Sequence, residues 1–189
     1  MNRKNIVSVL FAVLLIILVG CEDKDLPVTG AMSEESPAVK VEPITTDIID
    51  GQGGKMGTAT FTQLAKGVQV DVKVSGLKPG MHGIHIHETG KCEKPDFKSA
   101  GSHFNPTMKE HGYDNPNGEH AGDLANLVAG PNGTAEVQFV VTTVTLNKGV
   151  PHSLLKEGGT SLVIHAEADD MHTNPAGNSG DRIGCAVIK

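Results

Sequence analysis

The chain has 189 residues, of which 38% are hydrophobic, 20% charged and only 3% aromatic, and it carries a formal net charge of −6. That length suits one domain and cramps two. The charge is too mild for a disordered acidic tail and of the wrong sign for a nucleic-acid partner, and 23 glycines without a three-residue period exclude collagen.

The first element, residues 1–20, opens with Arg3 and Lys4 and continues as an apolar run from Ile6 to Val19 broken only by Ser8. The run falls short of the roughly 20 residues a membrane span needs and fits the apolar stretch of a secretory signal. It ends Leu18-Val19-Gly20-Cys21, which resembles the lipobox of bacterial lipoproteins. That resemblance implies cleavage before Cys21, a diacylglyceryl group on its sulfur, further acylation of the palmitate type, and an extracytoplasmic protein anchored to a membrane. An uncleaved anchor helix, or an ordinary signal with a chance cysteine, is the alternative. Cleavage removes two positive charges, so −6 becomes −8. Residues 21–37 are polar, acidic and rich in Pro, Gly and Ser, and read as a flexible tether. With Cys21 committed to lipid, Cys92 and Cys185 remain as a pair in an oxidising compartment. A bridge between them closes a loop of about 94 residues, which chain entropy values at about 4 to 5 kcal/mol. Two buried free thiols are the alternative.

Residues 38–189 read as strands and turns. Thr58–Leu64 is rich in β-branched residues, and Val68–Val74 alternates without a break after the turn Ala65-Lys66-Gly67. Ile84–His87 alternates again after the turn Lys78-Pro79-Gly80, and Asp123–Val128, Ala135–Val144, Ser161–His165 and Ile183–Ile188 are further candidates. Beyond residue 20 no segment sustains a helical period, so the expected fold is all-β, an antiparallel sandwich or barrel. Two stretches break the rhythm, Glu88–His120 and Asp169–Arg182. Long loops inside a compact domain are usually functional or disordered, and the ligand-type residues here favour function.

Nine histidines are many for this length. His85 and His87 lie two apart on a predicted strand, so both project from one face, where imidazoles need a partner and metal is the usual one. His103, His111, His120, Asp123 and His165 follow in the irregular stretches and at a strand end. The segments Gly83-Ile84-His85-Ile86-His87-Glu88, Ser99-Ala100-Gly101-Ser102-His103-Phe104-Asn105-Pro106, His120-Ala121-Gly122-Asp123-Leu124 and Gly177-Asn178-Ser179-Gly180-Asp181-Arg182 resemble copper/zinc superoxide dismutase. The resemblance runs in order from about Val39 to Lys189.

It implies a Greek-key β-sandwich or flattened barrel of about eight antiparallel strands, a family that stands among the type examples of that architecture. It implies two cofactors, copper held by His85, His87, His103 and His165, and zinc held by His103, His111, His120 and Asp123. Four imidazole nitrogens suit an ion that changes oxidation state, and three nitrogens with one carboxylate suit a closed tetrahedral zinc. It further implies that Asp169 links the outer nitrogens of His85 and His111, that Arg182 attracts the anionic substrate, superoxide, and that His103 carries a proton in catalysis. Cys92 and Cys185 match the family disulfide, and His82 matches a structural histidine.

Two departures bear on substrate guidance: the segment Asp170–Asn174 holds no Lys or Arg, and Asp181 stands directly before Arg182. Asp170 reads as a solvated loop acid, and His152 and His172 receive no role. A non-enzymatic metal-binding lipoprotein, or a surface scaffold of the same fold, is the competing function. The complete copper set argues against both, since a zinc-only protein has no need of His87 or His165.

Overall fold

The computed structural model describes residues 41–189, within the unit Val39–Lys189. The predicted signal, Cys21, the tether and the first residues of the 38–189 domain lie outside the described residues. In chain order the strands are β1 (Ile44–Asp50), β2 (Lys55–Gln63), β3 (Val68–Val74), β4 (Gly80–His82), β5 (Ile84–His87), β6 (Leu127–Ala129), β7 (Ala135–Val141), β8 (Thr160–His165) and β9 (Arg182–Ile188). Among the described residues the one helical segment is a single 3₁₀ turn, Lys98–Ala100.

Seven strands form an antiparallel sheet in the order β5-β8-β9-β1-β2-β3-β7, and β4 pairs with β6 as a two-stranded ribbon. The pairing of β3 with β7 across three intervening strands is the Greek-key crossover, so the all-β expectation holds. The sheet curls into a half-barrel around its core. On β3 the alternation is complete: Val68, Val70, Val72 and Val74 are buried while Gln69, Asp71 and Lys73 point outward. Val70 lies opposite Phe61 on one side and Phe139 on the other. Ile84, Ile86, Leu162 and Ile164 extend the core across β5 and β8.

Strands β5 and β8 are buried on both faces. Ile84 and Ile86 fill the core, so the period of two turns His85 and His87 to the other side. There the connections 88–126 and 166–181 cover them. Cys92 and Cys185 are joined by a disulfide whose Cα atoms lie 5.8 Å apart. Beneath it Phe97, Ala100, Val163 and Cys185 form a small second core that seats the 88–126 connection on β8 and β9.

Beyond shifts of one to three residues at other strand ends, the sequence expectation differs from the structure at three places. Strand β1 is absent from it, because Thr45, Thr46, Asp47 and Asp50 dilute the apolar period and the register shifts between Ile48 and Ile49. Strand β4 was read as part of a turn. The expected strand Asp123–Val128 shortens to Leu127–Ala129, because Asp123 spends its pairing on a single bridge to His85.

Candidate metal centre

The site begins with the main chain of Ile86, the residue between the two strand histidines. Its N–H donates to Gly122 O (2.8 Å) and its carbonyl accepts from Phe104 N–H (2.8 Å), while Gly122 N–H donates to Phe104 O (2.9 Å). These bonds bring His103, which precedes Phe104, opposite His87, and Asp123, which follows Gly122, opposite His85. A side chain at Gly122 would strike Ile86 O, which explains glycine in His120-Ala121-Gly122-Asp123. His165 enters from β8: its N–H donates to Gly83 O (2.8 Å), and a register shift between Ile164 and His165 re-aims the ring.

Two groups of ligand atoms result, each within 4.8 Å: His85, His87, His103 and His165, and His103, His111, His120 and Asp123. Every one of these residues is buried. The sequence thus named all seven, and His103 belongs to both groups.

The rings of His85, His87, His111 and His165 are each oriented through the other nitrogen. His85 Nε2 donates to Asp169 Oδ2 (2.7 Å) and His111 Nε2 to Asp169 Oδ1 (3.0 Å), so one carboxylate spans the two groups as the resemblance implied. His87 Nδ1 donates to Gly101 O (2.9 Å) and His165 Nδ1 to Gly180 O (3.2 Å). The inward nitrogens His85 Nδ1, His87 Nε2, His103 Nε2 and His165 Nε2 are buried without a hydrogen-bond partner, while His111 Nδ1 lies 3.1 Å from Asp123 Oδ2.

In the second group His103 Nδ1 lies 2.8 Å from Asp123 Oδ1 and 3.4 Å from His120 Nδ1. That nitrogen separation matches the edge of a tetrahedron with zinc–nitrogen arms of about 2.0 to 2.1 Å. Asp123 Oδ2 accepts from Gly112 N–H (2.9 Å) and His120 N–H (3.0 Å) and lies 3.1 Å from His111 Nδ1, while Oδ1 faces His103 and His120.

The electrostatics divide the groups. Burial lowers His85 against the pull of Asp169, takes His87 well below its ordinary value, and lowers His103 to about 4 and His165 to about 3. These rings offer neutral lone pairs at neutral pH. Burial acts on His111 in the same sense, but hydrogen bonds to Asp123 and Asp169 outweigh it and raise the ring to about 9. Burial raises Asp123, yet the bonds from His103, His111 and His120 hold it far below the usual carboxylate range. The second group therefore favours fixed positive charge between its rings. Both donor sets fit transition-metal cations: converging, desolvated imidazole nitrogens need a cation or a proton.

Arg182 opens β9 and is the cross-strand partner of His165. Its Nη1 donates to Phe97 O (2.8 Å) and its Nη2 to Gly101 O (2.8 Å), the carbonyl that also orients His87. Lys98, which sequence reasoning passed over, sits on the turn beside this contact. Its ammonium pairs with Asp96 (2.7 Å) and interacts electrostatically with Asp181 and Arg182. Arg182, Lys98, Lys55 and Lys78 share one open groove with Asp96 and Asp181.

His82 bonds His165 O (2.7 Å) and Lys78 O (2.9 Å) and is structural, as expected. Asp170 is more than a solvated acid: it accepts from His172 N–H (3.1 Å), Thr173 N–H (2.9 Å) and Asn178 Nδ2 (2.9 Å), which folds its loop. His172 donates to Asp170 O (2.9 Å), and His152 is exposed and contributes nothing to the site.

The family model for copper/zinc superoxide dismutase matches residues 55–188. Superoxide dismutase [Cu-Zn] 1 of Aquifex aeolicus is 49% identical over 144 residues, 76% of this chain and 85% of that protein. Superoxide dismutase [Cu-Zn] of Caulobacter vibrioides is 40% identical over 141 residues, 74% of this chain and 81% of that one. Among solved structures, the double mutant of a superoxide dismutase-like protein from Bacillus subtilis superposes with a TM-score of 0.75 at 42% identity, covering 76% of this chain and 95% of that one.

A cation in the second group should stabilise the fold. Zinc at a hundredfold excess over its Kd is expected to add about 2.7 kcal/mol, and Asp123→Ala to remove most of that increment. Thermal unfolding of both proteins with and without zinc checks this; an equal zinc-induced rise in Asp123→Ala contradicts it.

Proposed function

The chain belongs to the copper/zinc superoxide dismutase family and converts superoxide to oxygen and hydrogen peroxide with copper and zinc, and from that premise we propose the division of labour among its residues and its place in the cell. His85, His87, His103 and His165 hold copper, and His103, His111, His120 and Asp123 hold zinc. When bound, copper would supply one-electron redox chemistry and zinc fixed positive charge.

The observation that carries this reading is the convergence of His85 Nδ1, His87 Nε2, His103 Nε2 and His165 Nε2 without hydrogen-bond partners. The balance is two superoxide anions and two protons in, one oxygen and one hydrogen peroxide out. His103 Nε2 is the atom that carries one of those protons. With Nδ1 turned to the zinc set, Nε2 is the one nitrogen of this ring free to take up a proton and give it to the forming peroxide. Its Nδ1, held among the zinc-set residues, keeps the ring from swinging away while Nε2 works. Arg182 binds and orients the anion, with its guanidinium fixed by Phe97 O and Gly101 O before the substrate arrives. Lys98 adds long-range attraction, which offsets the acids Asp96 and Asp181 around the groove.

We place the enzyme outside the cytoplasm, tied to a bacterial membrane by lipid on Cys21. The lipobox sequence supports this, and so does the Cys92–Cys185 disulfide, which suits an oxidising compartment. Two or more acyl chains, at about 0.8 kcal/mol per buried methylene, hold a protein stably at a bilayer.

Three outcomes follow. His87→Ala should abolish dismutation while the protein stays folded and zinc-loaded, whereas His103→Ala should damage both sites; equal zinc loss in the two, read by metal analysis, sinks the division.

Arg182→Glu should lower kcat/KM roughly tenfold or more with copper content unchanged, within the span of about 10- to 1,000-fold for charge focusing, a range to which this enzyme family itself contributed. Lys98→Glu should lower it less and flatten its salt dependence. Superoxide consumption against ionic strength checks both, and a wild-type rate for Arg182→Glu contradicts the role given to Arg182.

Cys21→Ser should shift the protein out of the detergent phase or leave it unprocessed, with activity per bound copper unchanged. Normal cleavage with unchanged partitioning counts against the anchor.

A further inference from the structure

Asn126 lies three residues after Asp123 and directly before β6. Its side-chain amide pairs with both main-chain groups of Asp169: Nδ2 donates to Asp169 O (2.8 Å), and Asp169 N–H donates to Oδ1 (2.8 Å). Only one orientation of the amide satisfies both bonds, because the reverse sets N–H against N–H and oxygen against oxygen. Among the described residues no main-chain group bonds Asp169 N or O. The amide thus does for Asp169 what a neighbouring strand does within a sheet.

We propose that Asn126 is a positioning residue for both metal ions, acting through Asp169. This rests on the two-ion reading above and goes beyond it, because Asn126 touches neither a ligand nor substrate. Asp169 uses both carboxylate oxygens, one on His85 and one on His111, and Oδ1 also accepts from Met171 N–H (2.7 Å). A carboxylate committed at both ends has no slack: a shift of its main chain lengthens at least one of the two imidazole bonds. The ring so released then loses the orientation that aims its Nδ1 inward. Glycine at 177 shows how closely the space is drawn, since a Cβ there would run into Asp169 Oδ1 and His111 Nε2. Asn126 therefore sets His85 in the copper group and His111 in the zinc group together, from a distance and with one amide.

The test uses the full chain in detergent, with zinc affinity measured by chelator competition and the visible spectrum of cobalt(II) placed in the zinc group. Loss of a partner that orients a metal ligand typically costs 10- to 100-fold in metal affinity. Asp169→Ala should fall in that range. Asn126→Ala and Asn126→Asp should lower zinc affinity about tenfold and shift the cobalt bands, the low end of that range because they act one bond further out. The Asp variant keeps the shape and loses the donor, so a space-filling role predicts no effect from it. Asn126→Ser, which keeps one hydroxyl donor, should show a smaller loss and serves if the others fold poorly. In the Asp169→Ala background, Asn126→Ala should add little. Wild-type affinity and spectrum in all Asn126 variants, even with lowered thermal stability, overturn the proposal, as do losses that add fully in the double variant. An unchanged affinity and spectrum in Asp169→Ala overturn the carboxylate's own role, and the Asn126 proposal with it.

Discussion

Four buried imidazole nitrogens, of His85, His87, His103 and His165, converge with no hydrogen-bond partner. Each such group costs about 1 to 3 kcal/mol if left alone, and much of the surrounding structure exists to hold it there. The opposite nitrogens are spent on Asp169, Gly101 O and Gly180 O, so the rings cannot turn to satisfy themselves elsewhere. Folding thus accumulates a penalty at one place that only a cation relieves. Metal binding then becomes part of the folding free energy rather than an addition to a finished protein. The buried carboxylates fit the same logic. Asp123 and Asp169 are held ionised by the histidines around them against the pull of burial, and their negative charge favours positive charge at His111 Nδ1.

What was legible in the sequence, and what was not, follows from the same division between side chain and main chain. His85 and His87 could be read from first principles, since strand alternation puts both on one face. The valine run of β3 could be read the same way. His103, His111, His120 and Asp123 come from connections without a period, and only the family motifs placed them. The acceptors that orient the rings, Gly101 O and Gly180 O, and Phe97 O on Arg182, belong to the main chain, which carries no side-chain signature. Asn126 escaped notice because an isolated asparagine before a strand reads as a turn residue. Lys98 escaped because attention fell on the loop Asp170–Asn174, whereas the cation lies on the connection across the groove. Strand β1 is hidden by its threonines and aspartates, of which Thr45 and Asp47 are exposed and Thr46 and Asp50 half-buried, so the period blurs while the pairing stays.

The charge problem of this enzyme has a local solution. A mature chain at −8, if the signal is removed, repels an anionic substrate at long range. Salt screens that repulsion over about 8 to 10 Å at physiological strength, so guidance is decided by charges within that distance of the site. On the reading proposed above, Arg182 and Lys98 supply it, and Asp181 and Asp96 subtract from it. The arginine works from within: burial lowers its pKa slightly, yet a guanidinium stays charged throughout the physiological range. Lys98 is exposed and tied to Asp96, so its share of the attraction is the more sensitive to salt.

The short segment 92–101 links these parts. Its first residue is bonded covalently to Cys185, three positions after Arg182 on β9. Its middle carries Phe97, whose carbonyl takes one arm of the guanidinium, and Lys98, which faces the groove. Its last residue, Gly101, offers one carbonyl to both Arg182 and His87. Arg182 and His87 are therefore spaced by a single oxygen. Phe97 and Ala100 bury completely against Val163 and Cys185, so the segment has its own small core and does not rely on the bridge alone. The placement of Arg182 rests on this redundancy. Covalent bond, apolar seat and shared carbonyl each restrict the same ten residues, and the carbonyl of Gly101 ties the position of Arg182 to that of His87.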